Sequence, residues 1–195
     1  MKDYTQGSEE LKNSRAKKMM LWFGMVSLGM SFAGFTSSWI VSMTRKDWLK
    51  EMELPQAFFI SLGVIILSSI TMHFAKKSVQ QEKQKQGMLL LISTFVLGVV
   101  FIWLQFLGFD EIVNVMKINF TGETANAKGS FIYLIVVVHI AHVVAGLISL
   151  LVVIYNHYKQ KYNNGKTLGI ELAATFWHFI DILWIYLFLF FYFVR

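Results

Sequence analysis

Five long, largely uncharged runs alternate with short charged segments along the chain. They lie at about 19–43, 55–75, 87–109, 130–155 and 170–194. A helix needs roughly 20 apolar residues to cross a hydrocarbon core of about 30 Å. Each run therefore predicts a helix long enough to span a bilayer with some tilt. The expected fold class is all-α, an integral membrane bundle of five transmembrane helices forming one domain over 1–195, with a cytoplasmic tail at 1–18. Pro55 suits the first turn of the second helix, where its missing N–H costs nothing. Glu51 and Glu53 just before it would favour the positive end of that helix dipole. Asn163, Asn164 and Gly165 form a turn signal ahead of the fifth helix.

Charge sets the expected orientation. Lys2, Lys12, Arg15, Lys17, Lys18, Lys76, Lys77, Lys83, Lys85, Lys159, Lys161 and Lys166 fall on one face of such a bundle, twelve cations in all. The other face has six: Arg45, Lys46, Lys50, Lys117, Lys128 and Arg195. Asp47, Glu51, Glu53, Asp110, Glu111 and Glu123 join them there. The positive-inside rule then predicts the N-terminus in the cytoplasm and the C-terminus outside. Every loop agrees, which supports the count of five.

Composition narrows the chemistry. Residues are 55% apolar and 15% charged, so the chain has no room for a sizeable soluble domain. Cysteine is absent, which excludes disulfides, thiolate nucleophiles, cysteine-ligated iron–sulfur clusters, c-type haem attachment and a cysteine-bridged copper centre within this chain. No cleavable signal peptide is predicted, because the first apolar run is too long for a signal core. Nothing resembles a phosphate-binding glycine loop or a His-Glu-x-x-His zinc motif. The high aromatic share, 16%, places Trp39, Trp48 and Tyr192 at the outer interface and Trp22, Tyr155 and Tyr158 at the inner one. The aromatic run from Trp184 to Phe193 reads as bulk facing lipid or another subunit. Gly24, Ser27, Ser31, Gly34 and Ser38 suggest close packing of helix 1 against a neighbour, or merely an average membrane helix.

Ionisable groups at membrane depth are costly and therefore informative. Helix 2 has His73 near its cytoplasmic end; helix 4 has His139 and His142; helix 5 has Glu171, His178 and Asp181. Spacing of three and four residues puts His139, His142 and Gly146 on one stripe, and Glu171, Ala174, His178, Asp181 and Ile185 on another. At about 1.5 Å per residue, Asp181 reaches the depth of the two helix 4 histidines. The expectation is two polar layers, one in mid-membrane between helices 4 and 5 and one around Glu171 and His73. Three roles fit: interhelical hydrogen bonding, a haem or metal site with His142 and His178 as a possible axial pair, or a proton path.

At helices 4 and 5 the sequence stops being generic. His139-Ile-Ala-His142-Val-Val-Ala-Gly146 resembles the His-x-x-His-Val-x-x-Gly stretch of subunit III in cytochrome c oxidase. Glu171-Leu-Ala-Ala-Thr-Phe-Trp177-His178-Phe-Ile-Asp181-Ile-Leu-Trp184 resembles that family's last-helix signature, and Leu97-Gly98 with Leu104-Gln105 resembles its Leu-Gly…Leu-Gln pattern. The chain is similar to the five-helix form of the family. That resemblance implies an accessory subunit of a proton-pumping haem–copper oxidase of aerobic respiration, multi-pass in a bacterial inner membrane. It implies subunit I as principal partner, with subunit II and a small subunit IV, membrane lipids, and no nucleic acid. Haem and copper would lie in the partner subunits, with no catalytic, cofactor or metal residue here and with bound phospholipid. His139, His142, Glu171, His178, Asp181 and His73 would then be structural or lipid-contacting. The family often carries a buried carboxylate in the helix matching helix 1, and none stands between Met19 and Met43. A quinol oxidase subunit is the near alternative; a haem-b membrane anchor of a dehydrogenase is the alternative of another class.

Overall fold

The computed structural model describes residues 9–45, Trp48, 54–115, 126–162 and 167–194. Five helices account for nearly all of them: α1 (Glu9–Ser42), α2 (Gln56–Gln80), α3 (Gln84–Asp110), α4 (Ala127–Tyr158) and α5 (Leu168–Phe193). A π-helical turn, Glu111–Val115, extends α3. All five are long and apolar enough to cross a membrane, and no strand occurs among the described residues. Glu51, Glu53 and the turn at 163–165 lie outside the described residues, as do Lys2, Lys46, Asp47, Lys50, Lys117, Glu123, Lys166 and Arg195.

The helices outrun the apolar segments that predict them. α1 begins ten residues before Met19, because Glu9 to Lys18 is rich in Glu, Leu, Lys, Arg and Ala, all good helix formers. α2, α3 and α4 likewise extend into polar sequence on the side where charge is highest. Pro55 sits one position earlier than expected, as the N-cap of α2, its carbonyl accepting from the Phe58 N–H at 3.1 Å. The acid nearest the start of α2 is Glu111 of the π-helical turn, whose Oε1 accepts from the Gln56 N–H at 3.4 Å.

α2, α3, α4 and α5 form a closed ring in which each helix packs on the next and α5 returns to α2; α1 lies outside, against α4 and α5. The ring has a regular seam. In α2 the buried series is Phe58, Ser61, Ile65, Ser68, Met72, Ala75, Val79. In α3 it is Gly87, Leu91, Thr94, Gly98, Phe101, Gln105, Gly108, and in α5 Ile170, Ala174, Trp177, Asp181, Trp184, Phe188, Phe191. Alternating steps of three and four make a 3.5-residue repeat, which keeps a seam facing its partner only if the helices cross at about +20° in a left-handed sense.

Glycine lets the α3 seam close. A Cβ on Gly98 would lie 2.8 Å from both Leu147 Cδ2 and Trp177 Cη2, and one on Gly108 would lie 2.4 Å from Phe58 Cε1. The glycines of α1 are different: no described residue lies within 4 Å of a Cβ built on Gly24, Gly29 or Gly34. Gly24, Ser27, Ser31, Gly34 and Ser38 are all exposed, so the close packing expected of that stripe is not made within the chain. α1 docks through its other side, by the ion pair of Lys18 with Glu171 at 2.9 Å, a hydrogen bond of 3.0 Å between Thr36 Oγ1 and Tyr186 OH, and Trp39 among Trp48, Phe131, Phe190 and Phe191.

Aromatic placement departs from expectation in two places. Trp39 and Trp48 are buried core, not belt residues, while Trp22, Tyr155 and Tyr158 are exposed on the opposite face. The run from Trp184 to Phe193 divides by helical phase: Trp184, Leu187, Phe188 and Phe191 are buried, whereas Tyr186, Leu189, Tyr192 and Phe193 face outward.

Two connections turn on residues with positive φ, Glu82 (59°) after α2 and Gln160 (56°) after α4. At Glu82 the chain reverses between α2 and α3, with the Lys83 N–H reaching the Ser78 carbonyl at 3.0 Å. That left-handed conformation costs an L-residue about 1–2 kcal/mol and costs glycine nothing. Glu82→Gly is therefore expected to raise the thermal stability of the purified chain in detergent, by about 1 kcal/mol. Gly108→Ala is expected to lower it by about 1–3 kcal/mol through overpacking on Phe58. Gly34→Ala, in open space, should leave it unchanged or raise it by up to about 1 kcal/mol. Thermal unfolding followed by circular dichroism checks all three.

Candidate functional site

The polar residues of the bundle fall into three groups. The first lies at the basic face. Glu171, in the first turn of α5, accepts from Lys18 Nζ of α1 at 2.9 Å through Oε2 and from Thr167 Oγ1 at 2.9 Å through Oε1. Thr175 Oγ1 donates back to the Glu171 carbonyl at 2.8 Å. Lys18, Lys76, Glu171 and Thr175, with Trp22, line a polar recess of about 240 Å³.

The second group joins α5 to α2. Ser68 and Ser69 are adjacent on α2, and each takes a partner from adjacent residues of α5. Trp177 Nε1 donates to Ser68 Oγ at 3.0 Å, and His178 Nδ1 is hydrogen-bonded to Ser69 Oγ at 2.7 Å. Asp181, one turn along and buried, lies beside Ser69 but has no hydrogen-bond partner on either carboxylate oxygen among the described residues. The His73 ring of α2 is 6.5 Å from that of His178. Next to this seam, Thr71 of α2 and Thr94 of α3 share a hydrogen bond of 2.9 Å.

The third group is His139 in an aromatic box. It is fully buried, stacked on Trp184 at 5.1 Å with an interplanar angle of 27°, and met edge-on by Phe32 of α1 and Phe101 of α3. Neither ring nitrogen of His139 has a hydrogen-bond partner among the described residues, and the same holds for the buried side-chain amide of Gln105. His142 is only half-buried; its Nδ1–H donates to the Val138 carbonyl of its own helix at 2.6 Å, and its ring meets Phe32.

Geometry thus redistributes the two layers that spacing suggests. Glu171 pairs with Lys18, not with His73, and His73 belongs with His178. His178 and Asp181 look toward α2, whereas His139 and His142 look toward α1 and the aromatic ring of the bundle. His142 and His178 meet different neighbours, Phe32 for the one and Ser69 and His73 for the other. Among the described residues no three His, Cys, Asp or Glu side chains gather as a metal-binding group. The serine pair on α2 went unnoticed in the sequence; its only signal is two adjacent hydroxyls, Ser68-Ser69, inside an otherwise apolar span, and Gln105 stands out in α3 in the same way.

The family described as cytochrome c oxidase subunit III matches residues 19–195. Among curated relatives, the cytochrome bo(3) ubiquinol oxidase subunit 3 of Buchnera aphidicola subsp. Acyrthosiphon pisum is 31% identical over 129 residues, 66% of this chain and 61% of its own. The probable cytochrome c oxidase subunit 3 of Rickettsia prowazekii is 33% identical over 137 residues, 69% of this chain and 46% of its own. The cytochrome c oxidase subunit 3 of Loxodonta africana is 28% identical over 141 residues, 72% of this chain and 50% of its own. The chain therefore spans about half to three-fifths of the length of these relatives. With all but the first 18 residues matched, this chain belongs to the cytochrome c oxidase subunit III family.

Proposed function

We propose that this chain is the accessory, cofactor-free third subunit of a proton-pumping haem–copper terminal oxidase in a bacterial inner membrane, with its N-terminus in the cytoplasm and its C-terminus outside. The observation that carries the reading is the family match over 19–195. The placement of the signature residues is in keeping with it. Trp177 and His178 are used in fastening α5 to α2, and Glu171 in fastening α5 to α1. Residues so engaged position helices; they do not surround an open reaction site. Electron transfer, oxygen reduction and the haem and copper centres fall to subunits I and II, with a small subunit IV as a further neighbour. This subunit supports their assembly, binds phospholipid and sustains proton uptake by the core subunit. His73, His139, His142, Glu171, His178 and Asp181 are structural or lipid-contacting in this reading. The twelve-to-six excess of Lys and Arg supports the orientation.

The electron donor stands between cytochrome c and a quinol, because the relatives include a subunit named for ubiquinol oxidase and others named for cytochrome c oxidase. The haem-b anchor of a dehydrogenase is the reading of another class, and it predicts that the purified chain is red.

Gentle purification of the tagged chain from its native membrane tests the assignment. A haem-bearing large subunit and a copper-binding partner are expected to accompany it; a dehydrogenase, or no partner at all, would overturn it. Asp181→Leu is expected to reduce the recovered complex several-fold, the effect of a loss of about 1–2 kcal/mol on abundance, while the haem spectrum of what does assemble stays unchanged. An altered spectrum with normal assembly would remove the structural role assigned to Asp181.

A further inference from the structure

A groove of about 890 Å³ runs along α3 from the basic face, where the end of α4 walls its mouth, into the membrane-spanning part of the bundle. Its mouth is polar, with Lys85, Tyr158 and Gln160; its trough is apolar, with Leu89, Ile92 and Val96. It ends at Leu97. At the next residue, Gly98, α3 closes onto Leu147 and Trp177. From Lys85 to Leu97 the helix rises about 18 Å, close to half of a ~30 Å hydrocarbon core plus the headgroup layer. A partner helix crossing the membrane would need a trough through both leaflets. This one serves a single leaflet and has one wet end, the shape of a phospholipid.

The mouth also selects charge. No Asp or Glu among the described residues lines the groove. Lys85 is exposed and makes no ion pair among the described residues. Lys83 precedes it by two residues, and the nearest acid along the chain is Glu82 in the turn. Lys159, on the neighbouring loop, lies over the Tyr155 ring at 4.7 Å. The rim is pre-set by bonds between the two helices: His157 Nε2–H donates to the Gln84 carbonyl at 3.0 Å, and Gln160 Nε2–H to Gln84 Oε1 at 3.2 Å. An ammonium at headgroup depth attracts a phosphate and repels the trimethylammonium of a choline headgroup, so a lipid of net negative charge is favoured.

We propose that the α3–α4 groove holds one anionic phospholipid of the leaflet on the basic face, its phosphate on Lys85 and an acyl chain along Leu89, Ile92 and Val96. This deepens the lipid-binding part of the proposed function and rests on it. The test uses the whole chain in the complex with which it purifies, exchanged into a lipid-free detergent and titrated with phosphatidylglycerol or phosphatidylcholine under native mass spectrometry. Phosphatidylglycerol is expected to be held about tenfold more tightly, a difference of about 1.4 kcal/mol. Lys85→Glu should abolish that preference and Lys85→Arg should keep it. Ile92→Trp, which fills the trough, should weaken both lipids while helix content and melting temperature hold. Equal retention of the two lipids by the unaltered chain, or a preference untouched by Lys85→Glu, would overturn the proposal. So would a photoreactive diazirine side chain at position 92 that labels another protein and no lipid, which would make the groove a subunit interface. Loss of lipid preference with oxidase subunits still bound sinks this inference alone. A chain that selects phosphatidylglycerol but brings down no oxidase subunit keeps the groove and sinks the assignment to an oxidase.

Discussion

Hydrocarbon offers the peptide backbone no hydrogen-bond partner except itself. Each buried N–H and C=O left unpaired in lipid costs several kcal/mol, so an open membrane segment has little choice but to coil into a helix. Having done so, it loses the force that assembles soluble bundles, since a lipid tail is as apolar as a leucine. Helices must then be held by close surface contact and by a few polar links. The 3.5-residue seams of α2, α3 and α5 supply the contact. Gly98 and Gly108 let it tighten until bare backbone meets Trp177 and Phe58.

The polar links set register more than they add strength. A single interhelical hydrogen bond in a membrane protein averages about 0.6 kcal/mol, too little to assemble a bundle alone. Ser68 and Ser69, however, take Trp177 and His178 at one level. A slip of one helical turn, about 5.4 Å, would break both bonds and leave polar atoms stranded in the core. Phe58, which packs edge-to-face with Trp184 at 5.7 Å while resting on Gly108, ties α2 to α5 again further along and brings in α3. Trp184 continues the chain of contacts to His139, and Phe32 carries it to α1. Fastening and packing therefore converge on α5.

How much of this the sequence reveals follows from what each signal measures. Hydropathy reports the ability to leave water, so all five helices are visible in it. It does not see helix that continues into the polar interface, hence the early start of α1 and the extra turns of α2 to α4. Periodicity reports which residues share a face of one helix, and it picked out the stripes of α4 and α5. It cannot say which neighbour that face meets. For that reason Glu171 with His73, and Asp181 with the α4 histidines, were the natural groupings, whereas the ring topology gives Glu171 to Lys18 and turns His178 toward Ser69. The aromatic run at the end of α5 misleads for a related reason. In lipid, exposed and buried faces are both apolar, so Phe188 and Phe193 look alike until the ring of helices separates them.

The position of α5 also orders events in time. Of the five helices it leaves the ribosome last, yet it touches α1, α2 and α4. The α2–α3 hairpin, joined by three residues, can settle while the rest is still being made. Until α5 arrives, Ser68 and Ser69 wait without their indole and imidazole partners, Lys18 has no Glu171, and His139 lacks the ring on which it stacks. Synthesis thus runs through a state in which α1 to α4 are in the membrane with one side open, and α5 closes that side.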